Sequence, residues 1–177
     1  TQFDVVVLSN GGDFDVTTGN SRFEECRWIW NQLDGVNGTC LDFTCVRDSS
    51  EDFWVNHLEN NFDIKSYDAI LSLPEYDSHF EHRKVNNISK ALLRGVNVGL
   101  ITYRTPSTLE QWIPNYYTEL RNELMESKID ILRDGFDSQK DKLYFQRQRI
   151  KDFHINYQCS KVGVSYVEQF KVERLFG

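Results

Sequence analysis

The sequence predicts an α/β protein: a Rossmann-like or flavodoxin-like, largely parallel sheet with helices on both faces and a C-terminal β-hairpin extension. Three observations lead there. Short apolar runs alternate with amphipathic stretches three times between residues 3 and 103, the pattern of successive βα units. Turn chemistry closes the segments, at Asn10-Gly11-Gly12, Asp34-Gly35, Pro74 and Gly95. After residue 140 the apolar period becomes two. A chain of 177 residues fits one domain, so 1–177 is expected as a single unit, with a βα core over 1–135 and the extension over 140–177.

Each element has its own signal. Phe3–Ser9 is β-branched and suits a first, central strand. Ser21 and Glu24 have capping-box spacing, and Phe23, Cys26, Trp30 and Leu33 form one apolar stripe, which predicts a helix over 22–33. Leu41–Val46 reads as a second strand. Asp48 with Glu51 can cap a helix over about 50–60, with Trp54, Leu58 and Phe62 inward. Tyr67–Leu73 is a third strand, stopped by Pro74, which has no amide hydrogen for a ladder. A helix over about 79–94 carries Val85, Ile88 and Leu92, and Val96–Tyr103 is the fourth strand. Thr105-Pro106 can open a short helix that Pro114 restarts, and its stripe, Tyr117, Leu120, Leu124 and Ile131, runs through Arg133 to a stop at Gly135. Finally, Phe153, Ile155, Tyr157 and Cys159, then Val162, Val164 and Tyr166, alternate as a hairpin would.

Composition narrows the function classes. The net charge of −7 is uneven: residues 1–80 carry 4 Lys/Arg against 15 Asp/Glu, whereas 140–177 carry 8 against 4. An acidic body argues against nucleic-acid binding, which needs a basic face. No apolar run approaches a membrane span. The expected partners are therefore a small-molecule ligand or a protein, with a homo-oligomer possible through the C-terminal β edge. The cysteines Cys26, Cys40, Cys45 and Cys159 have no metal-ligand spacing. The sequons Asn37-Gly38-Thr39 and Asn87-Ile88-Ser89 leave secretion with disulfides open beside the expected intracellular home.

The candidate chemistry sits where strands end, because ligand sites of parallel sheets lie outside the strands' carboxyl ends. Asn10, Gly11, Gly12 and Asp13 follow the first strand. Glycine there permits positive φ and close approach to a ligand, although the same residues also mark an ordinary surface turn. Neither GxGxxG nor a P-loop lysine occurs, so no cofactor is expected. Glu75 and Asp77 follow the third strand, and Tyr103 ends the fourth. Asn10–Asp13, Glu75–Glu81 and the turn after Tyr103 would together line the pocket. His79 and His82, three residues apart, could hold a metal with Asp77 or Glu81, but no established metal motif accompanies them. Glu81 has two readings: a carboxylate aimed over the sheet edge, or the N3 partner of Ser78 in a capping box.

The run Asp68–Glu81, DAILSLPEYDSHFE, followed by a helix and the strand NVGLITY, resembles the nucleoside 2-deoxyribosyltransferase-like group over about a quarter of the chain. That resemblance implies a flavodoxin-like sheet and catalysis at a sugar's anomeric carbon. Glu81 would be the nucleophile, with Asp77 or Glu75 as the accompanying carboxylate. A non-catalytic interaction domain, binding protein through the C-terminal hairpin or the acidic face, is the alternative.

Overall fold

The computed structural model describes residues 1–12 and 16–176, with the backbone alone for 16–18. They fall into two compact units, Thr1–Val46 with Leu120–Tyr166, and Arg47–Glu119 with Val167–Gly177. The strands likewise form two sheets, one of two strands and one of four.

The first unit begins with a β-α-β segment: β1 (Phe3–Val7), α1 (Val16–Trp30) and β2 (Val36–Cys40). The two strands are parallel, in register from Phe3 opposite Val36 to Val7 opposite Cys40. Sequence reasoning puts the second strand at Leu41–Val46, five residues too late, because Asn37-Gly38 imitates a turn. Gly38 is extended for a packing reason: the Trp30 ring lies on it, and a Cβ there would stand 1.7 Å from Trp30 Cε3. Cys45 and Val46 are buried as expected, but a loop carries them. Ser21 lies within α1 and so does not cap it.

The same unit continues with α4 (Asn122–Gly135), α5 (Arg147–His154) and α6 (Tyr157–Val162). Met125, Ile129 and Ile150 are its buried centre, with Leu120, Leu132 and Tyr166 packed around them. The expected C-terminal hairpin is absent from these residues. Ile150 and His154 are the buried positions of α5, spaced i, i+4, while Ile155 and Tyr157 are exposed. Asn156 then caps α6, its side chain accepting from the Gln158 N–H at 3.0 Å, and Gly163 ends it at φ 74°. The alternation of apolar residues was two short helices with one capping residue between them.

The second unit contains α2 (Glu51–Asn61), β3 (Ala69–Ser72), α3 (Phe80–Leu92), β4 (Gly99–Tyr103), β5 (Tyr116–Glu119) and β6 (Val167–Arg174). Ser50, not Asp48, caps α2 by accepting from the Phe53 N–H at 3.1 Å. The sheet order is β3-β4-β6-β5. β3 and β4 are parallel, and β6 is antiparallel to both of its neighbours. Leu93, Val98 and Leu100 form a core cluster with Ile64, Tyr67, Ile70 and Val96 against it. Two corrections follow. Tyr116–Glu119 is a strand rather than the start of a helix, because it pairs with β6. And β6 is paired on both sides, so the C-terminal edge expected to join a second copy is an interior strand.

α3 is tied to β3 by polar as well as apolar contacts. Ser89 Oγ lies 2.8 Å from Ser72 Oγ, and Asn86 Nδ2 donates to the Leu73 carbonyl at 2.8 Å. Asn86 is four residues on from His82, so this bond fixes the helix face on which His82 stands. Gly38→Ala, which drives a methyl into the Trp30 ring, is expected to destabilise the chain by about 1–3 kcal/mol in urea denaturation. Exposed Thr39→Ser next door is expected to stay within about 0.5 kcal/mol.

Candidate functional site

The segments that leave the carboxyl ends of β3 and β4 meet. Asp77 forms an isolated antiparallel bridge with Thr108. Around it, the Ser78 N–H donates to the Ser107 carbonyl and the Leu109 N–H to the Tyr76 carbonyl, each at 2.9 Å. A two-strand clasp thus closes the rim of the parallel pair, where ligand sites of such sheets lie.

Asp77 is at its centre, with no exposed surface. Its Oδ1 accepts from the His79 N–H at 2.8 Å, and its Oδ2 accepts from Thr105 Oγ1 at 2.6 Å. The same Oδ2 lies 3.1 Å from His82 Nδ1. Burial alone would push this carboxyl up. Hydrogen bonds from Thr105, Ser107, the His79 backbone and His82 outweigh it and hold the carboxyl below its ordinary value. Asp77 is therefore a buried carboxylate ionised at neutral pH. Arg83 Nη1 donates to the Asp77 carbonyl at 2.6 Å and braces the turn from outside.

The charge on Asp77 sets the tautomer of His82. A carboxylate accepts only, so Nδ1 carries the proton toward it and Nε2 keeps its lone pair. The His82 side chain is 29% exposed and stacks on the His79 ring at 4.5 Å. Ser107 Oγ also approaches Nδ1, at 3.2 Å. Serine, histidine and aspartate are thus together, but serine and aspartate share one nitrogen. A nucleophilic triad needs them on opposite nitrogens. What this arrangement can do is take a proton at His82 Nε2, or ligate a cation there, with the ring held by a buried anion. Among the described residues, no three His, Cys, Asp or Glu side chains are grouped to hold a metal ion.

The other sequence-predicted residues have separate roles. Glu81 does not cap α3 with Ser78: the N-cap is His79, without a side-chain bond. Instead, Glu81 Oε1 accepts from the Arg47 N–H at 3.0 Å, and Ser78 Oγ donates to the Ser107 carbonyl. Glu75 lies between Lys90 at 2.7 Å and Lys171 at 3.3 Å. The hydrogen bond from Lys90, aided by Lys171, holds its carboxyl low. Tyr103 ends β4 opposite Phe170. Asn10, Gly11 and Gly12 belong to the first unit. There the buried Asn10 side chain accepts from the Gly12 N–H at 2.7 Å, Gly11 has φ +65°, and Arg22 Nη1 donates to the Gly11 carbonyl at 3.2 Å. Asp13 lies outside the described residues. Sequence reasoning singles out Asp77, the pair His79 and His82, and the turn after Tyr103, without naming Thr105, Ser107 or Thr108 within that turn. The available signal was a run of hydroxyl residues, Thr105-Pro106-Ser107-Thr108, directly after the fourth strand. A cleft of about 660 Å³ also opens in the second unit, lined among others by Phe62, Ile64, Lys65, Leu92, Arg94 and Val96. It lies before β3 and after α3 in the chain, and no residue of the clasp lines it.

No family model and no curated protein matches the chain. Solved structures do. The chain is similar to the 4-carboxy-2-hydroxymuconate hydratase GalB of Pseudomonas putida, at 12% identity and a TM-score of 0.74, covering 99% of this chain and 85% of that one. It is similar also to a conserved protein of Thermus thermophilus, at 15% identity and a TM-score of 0.68, covering 99% and 83%. A third is an antimicrobial-reagent pseudoaglycone deacetylase, at 12% identity and a TM-score of 0.68, covering 99% and 87%. At these identities the likeness is one of fold alone, a mixed α/β fold.

Asp77→Asn is expected to cost about 1–3 kcal/mol at pH 7, since the amide would set an N–H against donors that now meet a carboxylate. The sign of its pH dependence follows from the lowered carboxyl. The stabilisation is complete above the unfolded value near 3.9 and is lost as pH falls through the folded value. Denaturation curves of the two proteins should therefore converge in acid.

Proposed function

We propose that this chain binds a small molecule at the β3–β4 rim and activates water on it, with His82 as the proton-transfer group and Asp77 as its orienting anion. One observation carries the reading: a fully buried carboxylate 3.1 Å from His82 Nδ1, which leaves Nε2 as the basic atom of a partly exposed ring. Hydration adds water across a double bond and deacetylation adds it across an amide. Both need a proton removed from water and one delivered to the departing or adjacent atom, work that a positioned imidazole can do. That a hydratase and a deacetylase share the fold supports this chemistry. The parallel pairs β1–β2 and β3–β4, each spanning an intervening helix, support the Rossmann-like reading of the sheet. Attack on a glycosidic bond through Glu81 is a separate version of the same reading. It has less support, because one Glu81 oxygen is occupied by the Arg47 N–H.

The full chain should be assayed for acetate release from N-acetylated small molecules and for loss of ultraviolet absorbance from unsaturated hydroxy acids. Where turnover is found, His82→Gln is expected to lower kcat by about 10²–10⁴-fold, Asp77→Asn by a lesser factor, and Glu81→Gln hardly at all. Turnover that survives His82→Gln but vanishes in folded Glu81→Gln would reverse the assignment.

A further inference from the structure

The register of α1 against β2 brings two of the four cysteines, Cys26 and Cys40, to the same stretch of their contact. The alignment comes from Trp30, whose ring lies on Gly38. A helix joining two parallel strands runs back against them, so steps toward the start of α1 match steps toward the end of β2. Four residues back from Trp30, about 6 Å along the helix, stands Cys26. Two residues on from Gly38, about 6.6 Å along the strand and on the same face, stands Cys40. Burial at the side-chain positions of β2 fits this: Val36 and Cys40, on the face of Gly38, are half-buried, while Asn37 and Thr39, on the opposite face, are exposed. Electrostatics agree as well. Glu24 and Arg27, which flank Cys26 on α1, both act on the Cys40 thiol, and Cys40 acts on Cys26.

We propose that Cys26 and Cys40 form a disulfide, stapling α1 to β2, when the chain meets a small-molecule disulfide such as oxidised glutathione. One chain thiol loses its proton and attacks the glutathione disulfide, expelling the first glutathione thiolate. The second chain thiol then loses its proton and attacks the mixed disulfide, expelling the second. The chain gives up two protons and two electrons, and one glutathione disulfide becomes two thiols. Both sulfurs are free thiols in this structure. Their environment is that of a stable rather than a labile bridge. Burial, with the Cys40 charge, pushes the Cys26 thiol up to about 11, and burial raises Cys40 as well. A poorly stabilised thiolate favours the oxidised form of the pair and makes its formation faster in alkali. The other two cysteines do not compete. Cys45 and Cys159 are buried, and Cys159 Sγ is taken up with the Asn156 N–H and the His154 carbonyl. This inference is independent of the clasp, which belongs to the other unit.

The native full chain should be incubated with oxidised glutathione at pH 8.5, alkylated, and mapped by mass spectrometry after digestion. The expected product is a chain lighter by two hydrogens, with Cys26 and Cys40 in one cross-linked peptide pair and Cys45 and Cys159 alkylated after unfolding. Cys26→Ser should yield Cys40 carrying a single glutathione instead. Separate glutathione adducts on Cys26 and Cys40 in the unsubstituted chain would overturn the proposal, as would a bridge to Cys45 or Cys159, or four alkylated thiols after full exposure.

Discussion

The second unit depends on keeping one negative charge out of water. A carboxylate with no exposed surface is tolerated only when its lone pairs are filled. Asp77 fills them from three places in the chain: the His79 amide, the Thr105 hydroxyl and the His82 ring. Two of these stand at the start of α3 and one lies beyond β4. Satisfying the charge therefore draws the two loops together, orients the imidazole and leaves a basic nitrogen at the rim. Geometry and chemistry have one cause here, and the surrounding bonds are arranged to support it. Asn86 and Ser89 hold α3 against β3. Trp112 Nε1 donates to the buried Thr102 hydroxyl at 2.9 Å, pinning the far side of the same loop.

Element positions were legible where local pattern and tertiary packing agree, but the single, largely parallel sheet was not. Among the described residues, the first strand pairs only in a two-stranded sheet, and the four-stranded sheet has one parallel pair and two antiparallel ones. The strands at Phe3, Ala69 and Gly99 and the helices at Glu51 and Phe80 lie within a few residues of where periodicity puts them. The failures are cases in which a distant partner decides. Asn37-Gly38 reads as a turn until one knows that an indole covers the glycine. Tyr116–Glu119 reads as the head of a helix until its pairing with β6 is seen, some 50 residues further on. The residues after Phe153 alternate, but the alternation was set by Asn156 and Gly163 as helix boundaries rather than by a sheet face.

The site was legible in part for a related reason. Its acidic residue follows a strand and is stopped from joining the ladder by Pro74, a purely local signal. Its other half comes from residues 105–108, with no sequence proximity and no charge to draw notice. Capping-box spacing at Ser78 and Glu81 was misleading because both side chains found better partners outside the helix. Ser78 donates to Ser107, and Glu81 accepts from Arg47. Local rules assign a polar group to its nearest available neighbour, whereas the folded chain had others to offer.

The position of β6 has a consequence for how this protein comes into being. β4 and β5 belong to one sheet only through β6, whose Arg174 guanidinium also reaches the carbonyls of Leu93, Val96 and Val98. During synthesis from the amino end, β3 and β4 can pair as soon as both have left the ribosome. β5 must wait, unpaired, until some fifty further residues have emerged. An edge left open for that long is the stage at which a nascent chain is most open to wrong pairing.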